Sequence, residues 1–171
     1  MGKILIVSDN HGSSEVLFGV KEKETEADLL IHCGDSELTP DDPALKGFAA
    51  VKGNCDYFGD FPEELVLDHD GYRILVVHGH HYSVKNDLLK LAYRAEEVGA
   101  NIVCFGHSHI LGVEMIGSTL FINPGSLRLP RGRSEKTYVT LENCKNSVLL
   151  HVHDYDRGEM EKLKQKFSFE Q

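Results

Sequence analysis

The sequence predicts an α/β protein in which two mixed β-sheets pack as a sandwich with helices outside. Three observations predict it. The first part carries short, nearly continuous apolar runs, the pattern of strands covered on both faces. The last third alternates strand-like segments with tight-turn residues, the pattern of antiparallel hairpins. Two further stretches place apolar residues at helical spacing. Two sheets packed face to face, with helices on the outer faces, satisfy all three.

Lys3–Ser8 (KILIVS) predicts the first buried strand. Ser13 stands at an N-cap position, and a helix to about Glu24 would carry Val16, Leu17 and Val20 as its apolar stripe. Asp28–Cys33 (DLLIHC) and Phe48–Lys52 (FAAVK) predict the second and third strands. Between them, Pro40 to Pro43 marks a loop able to hold a short helical turn. Glu64–Asp68 and Tyr72–Val77 flank Asp70-Gly71, a hairpin signal. Lys85–Val98 has Leu88, Leu89, Leu91, Ala92, Ala95 and Val98 at helical spacing, with Gly99 as its stop. Asn101–Phe105 is another buried strand. Gly112–Ile116, Thr119–Ile122, Thr137–Leu141 and Val148–Val152 read as antiparallel strands, with turns at Gly117-Ser118 and Lys145-Asn146. Glu159–Lys166 predicts a short C-terminal helix. There is no internal repeat or linker, so residues 1–171 are expected to form a single domain.

Composition narrows the functional classes. With 41% hydrophobic and 26% charged residues the chain is ordinary for a globular protein. No apolar run approaches the roughly 20 residues that span a bilayer, and the N-terminal run is too short for a signal peptide. No membrane partner is expected, and a cytoplasmic location is. The cysteines at 33, 55, 104 and 144 form no Cys-x-x-Cys pair and are expected to be reduced thiols. Lysine and arginine total 18 against 27 acidic residues, a net charge of -9. That balance argues against nucleic acid as a partner, because phosphate neutralisation needs a basic footprint. The oligomeric state stays open, a homo-oligomer included.

The chemistry sits where predicted strands end. The first delivers Asp9-Asn10-His11, the second Gly34-Asp35 and the third Gly53-Asn54-Cys55-Asp56. The hairpin strand delivers His78-Gly79-His80-His81, and the next strand Gly106-His107-Ser108-His109. In open α/β folds the carboxyl ends of strands line the ligand crevice, so five such ends point to one shared site. Carboxylates, imidazoles and an amide without thiolates suit Mn²⁺, Fe or Zn²⁺ better than an iron–sulfur centre. The neighbouring glycines let the backbone turn sharply and approach an ion closely.

These segments resemble the signature of the calcineurin-like metallophosphoesterase superfamily: Asp-x-His, Gly-Asp, Gly-Asn-His-Asp/Glu, His and Gly-His-x-His, in that order. The match runs from residue 9 to 109 and is extended by Asn123-Pro124-Gly125-Ser126. The Gly-Asn-Cys-Asp variant and the chain length resemble the small bacterial and archaeal YfcE/YsnB-like phosphodiesterase branch. The resemblance implies an α/β sandwich with two divalent metal ions at one edge. Asp9, His11 and His109 would hold the first ion, and Asn54, His78 and His107 the second, with Asp35 bridging them. Mn²⁺ is the favoured ion, with Ni²⁺, Fe²⁺, Zn²⁺ or Mg²⁺ as alternatives. The implied reaction is hydrolysis of a small phosphoester, most simply a phosphodiester, by a metal-bridging hydroxide, with Asp35, Asn54 and His80 as the catalytic set. Two divalent ions against Asp9, Asp35 and one hydroxide leave a charge of about +1, attractive to phosphate despite the acidic chain.

Cys55 departs from the superfamily pattern, which has a histidine there to protonate the leaving group. Loss of a general acid typically costs about 10²–10⁴-fold. His80 and His81, beside His78, are the nearest replacements, and ordinary solvent-facing histidines are the alternative reading. Arg128, Arg131 and Arg133 could grip a substrate phosphate, or simply belong to a solvated loop. His32, His69, His151 and His153 belong to no motif and are read as structural or exposed. Two rival functions remain. One is a non-catalytic scaffold of this fold, as in the retromer sorting subunit, where the ligand set is partly degraded. The other is a nuclease, disfavoured by the net charge.

Overall fold

The computed structural model describes residues 2–169. In chain order its first elements are β1 (Lys3–Val7), α1 (Ser14–Lys23), β2 (Leu29–His32) and β3 (Phe48–Ala50). A hairpin of β4 (Glu64–His69) and β5 (Tyr72–Val77) follows, then α2 (Leu89–Val98) and β6 (Ile102–Cys104). The remainder is β7 (Gly112–Ile116), β8 (Thr119–Asn123), β9 (Thr137–Cys144), β10 (Ser147–Asp154), β11 (Gly158–Glu159) and β12 (Gln165–Ser168).

Alternation along β1 shows how the layers form. Ile4 and Ile6 turn inward, into an apolar core shared with Ile74, Val76, Ile102 and Ile122 of the opposing sheet. Leu5 and Val7 turn outward, under Val16, Leu17 and Val20 of α1. With both faces covered, every apolar residue of β1 is buried, so the segment reads as a continuous run rather than an alternation. α2 caps the second sheet in the same way, placing Leu91 and Ala95 against Leu75, Val103 and Phe121.

One sheet runs β11-β10-β9-β1-β2-β3, with β12 also paired to β10, and the other runs β4-β5-β6-β8-β7. Both are mixed: β1 pairs parallel with β2 and antiparallel with β9, while β6 pairs parallel with both β5 and β8. The sandwich with helices outside is therefore present. Its division does not follow the two halves of the chain, because β9 and β10 return to the first sheet while β7 and β8 complete the second. Among the described residues no helix is long and apolar enough to cross a membrane.

Two expected elements differ. The helix predicted over Lys85–Val98 starts only at Leu89, where Asp87 Oδ1 takes the Leu89 N–H at 3.0 Å. The preceding segment is a series of turns with Ser83 in the left-handed region. The C-terminal helix predicted over Glu159–Lys166 is absent. In its place β11, a 3-10 turn at Glu161–Leu163 and β12 run along the free edge of β10. Met160, Leu163 and Phe167 cover the inter-sheet core from there. An unpaired β10 edge offers backbone partners that an isolated helix of eight residues cannot match.

Candidate metal centre

All seven predicted ligands converge at the carboxyl ends of β1, β2, β3, β5 and β6. Asp9, His11, Asp35, His107 and His109 all have positive φ, between 39° and 72°. Left-handed backbone at a non-glycine residue costs on the order of 1 kcal/mol or more, so five cases in one cluster need over-determination by their surroundings. Neighbouring loops supply it. Asp9 N donates to Gly34 O at 3.1 Å, His11 N to Asp35 O at 3.0 Å, and Gly106 N to His78 O at 2.9 Å.

The side chains form two overlapping nests. In the first, Asp9 Oδ1 lies 3.3 Å from His109 Nε2 and 3.5 Å from His11 Nε2, and the two imidazole nitrogens are 3.1 Å apart. In the second, Asn54 Oδ1 lies 3.0 Å from His78 Nε2 and 3.1 Å from His107 Nδ1. Asp35 Oδ2 faces both, at 3.2 Å from His78 Nε2 and 3.8 Å from His11 Nε2. Asp9 Oδ1 also reaches toward the second nest, 3.9 Å from His78 Nε2.

The proton inventory tests whether this cluster fits metal ions. His78 Nδ1 stands 2.8 Å from Cys33 O, and His109 Nδ1 stands 2.8 Å from Leu129 O. A carbonyl only accepts, so each Nδ1 carries a proton, and in the neutral form of the ring Nε2 then presents a lone pair. Those lone pairs face carboxylate oxygens, an amide oxygen and another imidazole. Asp9 Oδ1 is buried without a hydrogen-bond partner. Acceptors facing acceptors require positive charge between them, either as extra protons on the rings or as cations.

Without a cation, protons fill the role. The Asp9 carboxylate, against the effect of burial and with help from Glu37, pushes His11 up to about 9. Burial opposes the charge on Asp9, yet His109, His11 and His78 hold its carboxyl well below the usual range. Burial and then repulsion from His78 push His107 down to about 4, so that ring is neutral. The residues present fit a divalent pair.

The family model described as the calcineurin-like phosphoesterase superfamily domain matches residues 2–146. The chain belongs to this superfamily. It is 49% identical over 166 residues to the probable metallophosphoesterase YsnB of Bacillus subtilis, covering 95% of this chain and 97% of that protein. It is 28% identical to the phosphodiesterase YfcE of Escherichia coli K12, covering 87% and 92% of the two chains. A crystal structure of a conserved uncharacterized protein of Streptococcus pneumoniae, a predicted phosphoesterase, superposes with a TM-score of 0.92 at 34% identity, covering 98% and 97%.

Within this phosphoesterase frame the supports for the cluster come from residues that carry no motif of their own. His32, expected to be structural or exposed, is fully buried; burial pushes it down to about 4, so it is neutral. Its Nδ1 accepts the Gly34 N–H at 3.0 Å, which leaves Nε2 to donate to Asn10 Oδ1 at 2.6 Å. One imidazole thereby ties the Asp9–His11 loop to the Asp35 loop. Ser126 Oγ donates to Asp9 O at 2.7 Å, and Asn123 Nδ2 donates to Gly106 O at 3.2 Å. The glycines allow close approach: a Cβ on Gly53 would lie 2.1 Å from Asp35 Oδ1, and one on Gly106 would lie 2.6 Å from Asp9 Oδ2.

Asp56 is the strongest of these supports. Its buried carboxylate accepts from Gly53 N at 2.7 Å and from Asp35 N and Glu37 N at 2.8 Å each. Each buried donor left unsatisfied costs about 1–3 kcal/mol. Asp56→Ala is expected to lower stability by at least about 3 kcal/mol in urea unfolding. A midpoint unchanged from wild type would show that these N–H groups find other partners.

The remaining candidates divide. His80 is half-buried, its ring centroid 5.4 Å from that of His78 and 6.1 Å from that of His107, with its Nδ1 buried and unpartnered. Burial, then His81 and His78, lower its pKa. His81 is exposed and 3.4 Å from Glu63. Burial and the nearby Asp35 push the Cys55 thiol up to about 11, and its backbone N–H donates to Asp35 Oδ1 at 2.8 Å. Arg128 donates to His11 O, beside the first nest. Arg133 instead pairs with Glu135 at 3.7 Å. All four cysteines are free thiols, with Cys33 and Cys104 buried.

Proposed function

We propose that the protein is a binuclear metal-dependent phosphodiesterase that hydrolyses a small phosphoester. Asp9, His11 and His109 would hold one divalent ion, Asn54, His78 and His107 the other, and Asp35 would serve both. The observation that carries this reading is the convergence of imidazole nitrogens on carboxylate and amide oxygens, with Nδ1 of His78 and of His109 engaged by backbone carbonyls so that each Nε2 is the atom turned to the cluster. Mn²⁺ suits this set of oxygen and imidazole donors. When bound, such an ion pair supplies Lewis acidity toward the phosphoryl oxygens and lowers the pKa of water for attack at phosphorus.

The chain's own residues do the rest. Asn54 contributes an oxygen without a charge, which keeps the site attractive to an anionic ester. Asp35 divides its two oxygens between the Cys55 N–H and the imidazoles of His78 and His11. Arg128, anchored on His11 O, is placed to meet a phosphate oxygen at the first nest. His80 is the imidazole nearest the second nest outside the ligand set, but its lowered pKa leaves it neutral at pH 7 and a weak proton donor. The similarity to a named phosphodiesterase, YfcE, supports diesters as the substrate class.

A scaffold without catalysis is the competing reading, and metal removal separates the two. Wild-type protein is expected to bind two equivalents of Mn²⁺ and to hydrolyse bis(4-nitrophenyl) phosphate. Activity should vanish with chelator and return on adding Mn²⁺. Full turnover by exhaustively metal-free protein would exclude this mechanism. Two bound ions without hydrolysis of any ester in a mixed panel would favour the scaffold.

A further inference from the structure

We propose that a cavity flanking the metal centre is the subsite for the organic group of the phosphodiester, an aromatic ring carrying its own anionic substituent. This rests on the phosphodiesterase reading and adds the class of substrate. The cavity encloses about 360 Å³, within the small end of the range for ligand pockets. It is continuous with the metal loops. Ser108, which lies between His107 and His109, forms part of its wall, and Arg131, also in the wall, donates its backbone N–H to His109 O at 3.0 Å.

The lining has two characters. Val84, Phe105 and Phe121 form a buried apolar floor, and Ile110 stands at the rim with half of its surface exposed. The exposed half of Ile110, beside the polar cluster, offers contact area to a ring seated against it. Lys85 and Arg131 bring two positive charges to the same cavity, against the single carboxylate of Glu114. A purely apolar alcohol would leave that cationic excess unanswered, whereas a ring with a phosphate, carboxylate or sulfonate answers both halves of the wall. Ser108 Oγ already accepts from Asn123 Nδ2 at 2.9 Å and from Ile110 N at 3.3 Å, so its proton remains for a bound oxygen.

Gly112 provides the means to fill the space. It pairs with Asn123 across the β7–β8 ladder, and Glu114 pairs with Phe121, so positions 112 and 114 share the cavity face with Phe121. A Cβ at Gly112 would meet only Ile110 O, at 3.9 Å, so a side chain can start there without backbone conflict. Ile110→Glu supplies a second variant: its site is exposed, so folding is spared, while the new charge repels an anionic ring.

The test compares two esters with the same 4-nitrophenolate leaving group, 4-carboxyphenyl 4-nitrophenyl phosphate and methyl 4-nitrophenyl phosphate, on Mn²⁺-loaded protein. Wild type is expected to favour the diaryl ester in kcat/KM by about tenfold or more, and both Gly112→Leu and Ile110→Glu should cut that ratio by about tenfold. A wild-type ratio near one, or a ratio that neither variant changes, would overturn the subsite. A second arm needs no metal and no turnover. With 2-naphthalenesulfonate as probe, amide shifts of metal-free wild type should cluster at Val84, Phe105 and Phe121, with millimolar affinity weakened in both variants. Shifts centred elsewhere, or none at millimolar probe, would overturn the proposal. Absence of all diester hydrolysis by the Mn²⁺ protein would sink the phosphodiesterase reading alone, and the naphthalenesulfonate arm would still decide the cavity.

Discussion

Asp35→Asn is expected to reduce bound Mn²⁺ from two equivalents to one or none and to lower kcat/KM by more than about 100-fold. Loss of an outer partner to a ligand already costs about 10–100-fold, and Asp35 is itself placed to serve both nests. The direction follows from how the side chain is held. Its Oδ1 accepts the Cys55 N–H at 2.8 Å, so an asparagine must keep its carbonyl oxygen on that side. Its amide NH₂ is then presented to His78 Nε2 and His11 Nε2, where Oδ2 now stands at 3.2 and 3.8 Å. In place of an oxygen that can ligate a cation, the site then offers an N–H that cannot. Stabilisation by Mn²⁺, about 4 kcal/mol at a thousandfold excess over the dissociation constant, should largely disappear. Calorimetric titration and thermal unfolding with and without Mn²⁺ read both effects. Two equivalents bound with wild-type affinity would contradict the assignment of Asp35 to both ions.

The order of strands and the polar residues after each were legible because the same physics writes both. A strand buried on two faces must be apolar throughout, as KILIV of β1 is, so the first carboxylate after it marks where the sheet ends. Sheet membership was not legible. Whether Thr137–Cys144 joins the β7–β8 hairpin or crosses to β1 depends on long-range pairing that no local pattern records. The C-terminal segment was misread because its apolar residues fit a helical spacing as well as a strand, and the open edge of β10 decided between them. The start of α2 was signalled by Asp87, whose carboxylate takes the Leu89 N–H, but the apolar spacing that includes Leu88 drew the boundary earlier.

Among site residues, the seven candidate ligands were legible through the ordered motifs, whereas their supports were not. Asp56 belongs to the Gly-Asn-Cys-Asp segment, where the superfamily pattern pairs the acid with a preceding histidine. Here its carboxylate is occupied by three backbone N–H groups. His32 stood in a buried strand without a motif. A buried histidine must find partners for both ring nitrogens, and its place two residues before Gly34 was the available signal.

Cys55→His is expected to speed hydrolysis of diesters with poor leaving groups by about 10²–10⁴-fold while changing good ones little. The wild-type thiol, pushed up to about 11 by burial and by Asp35, holds its proton too tightly to give it up at neutral pH. His80 is depressed in pKa and mostly neutral. Among the described residues no strong donor thus stands beside the second nest, and wild-type rates should fall steeply as leaving-group pKa rises. An imidazole at position 55 would enter the neighbourhood of Glu37 and His11, whose ligand atoms already lie within 4.8 Å of the thiol. Glu37, which contacts His11 Nδ1 at 2.6 Å but accepts no backbone N–H, is the carboxylate able to hold such a ring protonated, whereas Asp56 is occupied by three backbone N–H groups. Cys55→Ser should behave like wild type, because a hydroxyl is no better an acid than this thiol. The measurement is kcat/KM for diesters of graded leaving-group pKa, with Mn²⁺ saturating, in wild type and both variants. The wild-type and serine series should share one steep slope, and the histidine series should be shallower. A flat wild-type series under chemistry-limited conditions would mean that a donor is already in place, and His80→Gln would then have to steepen it for that donor to be His80.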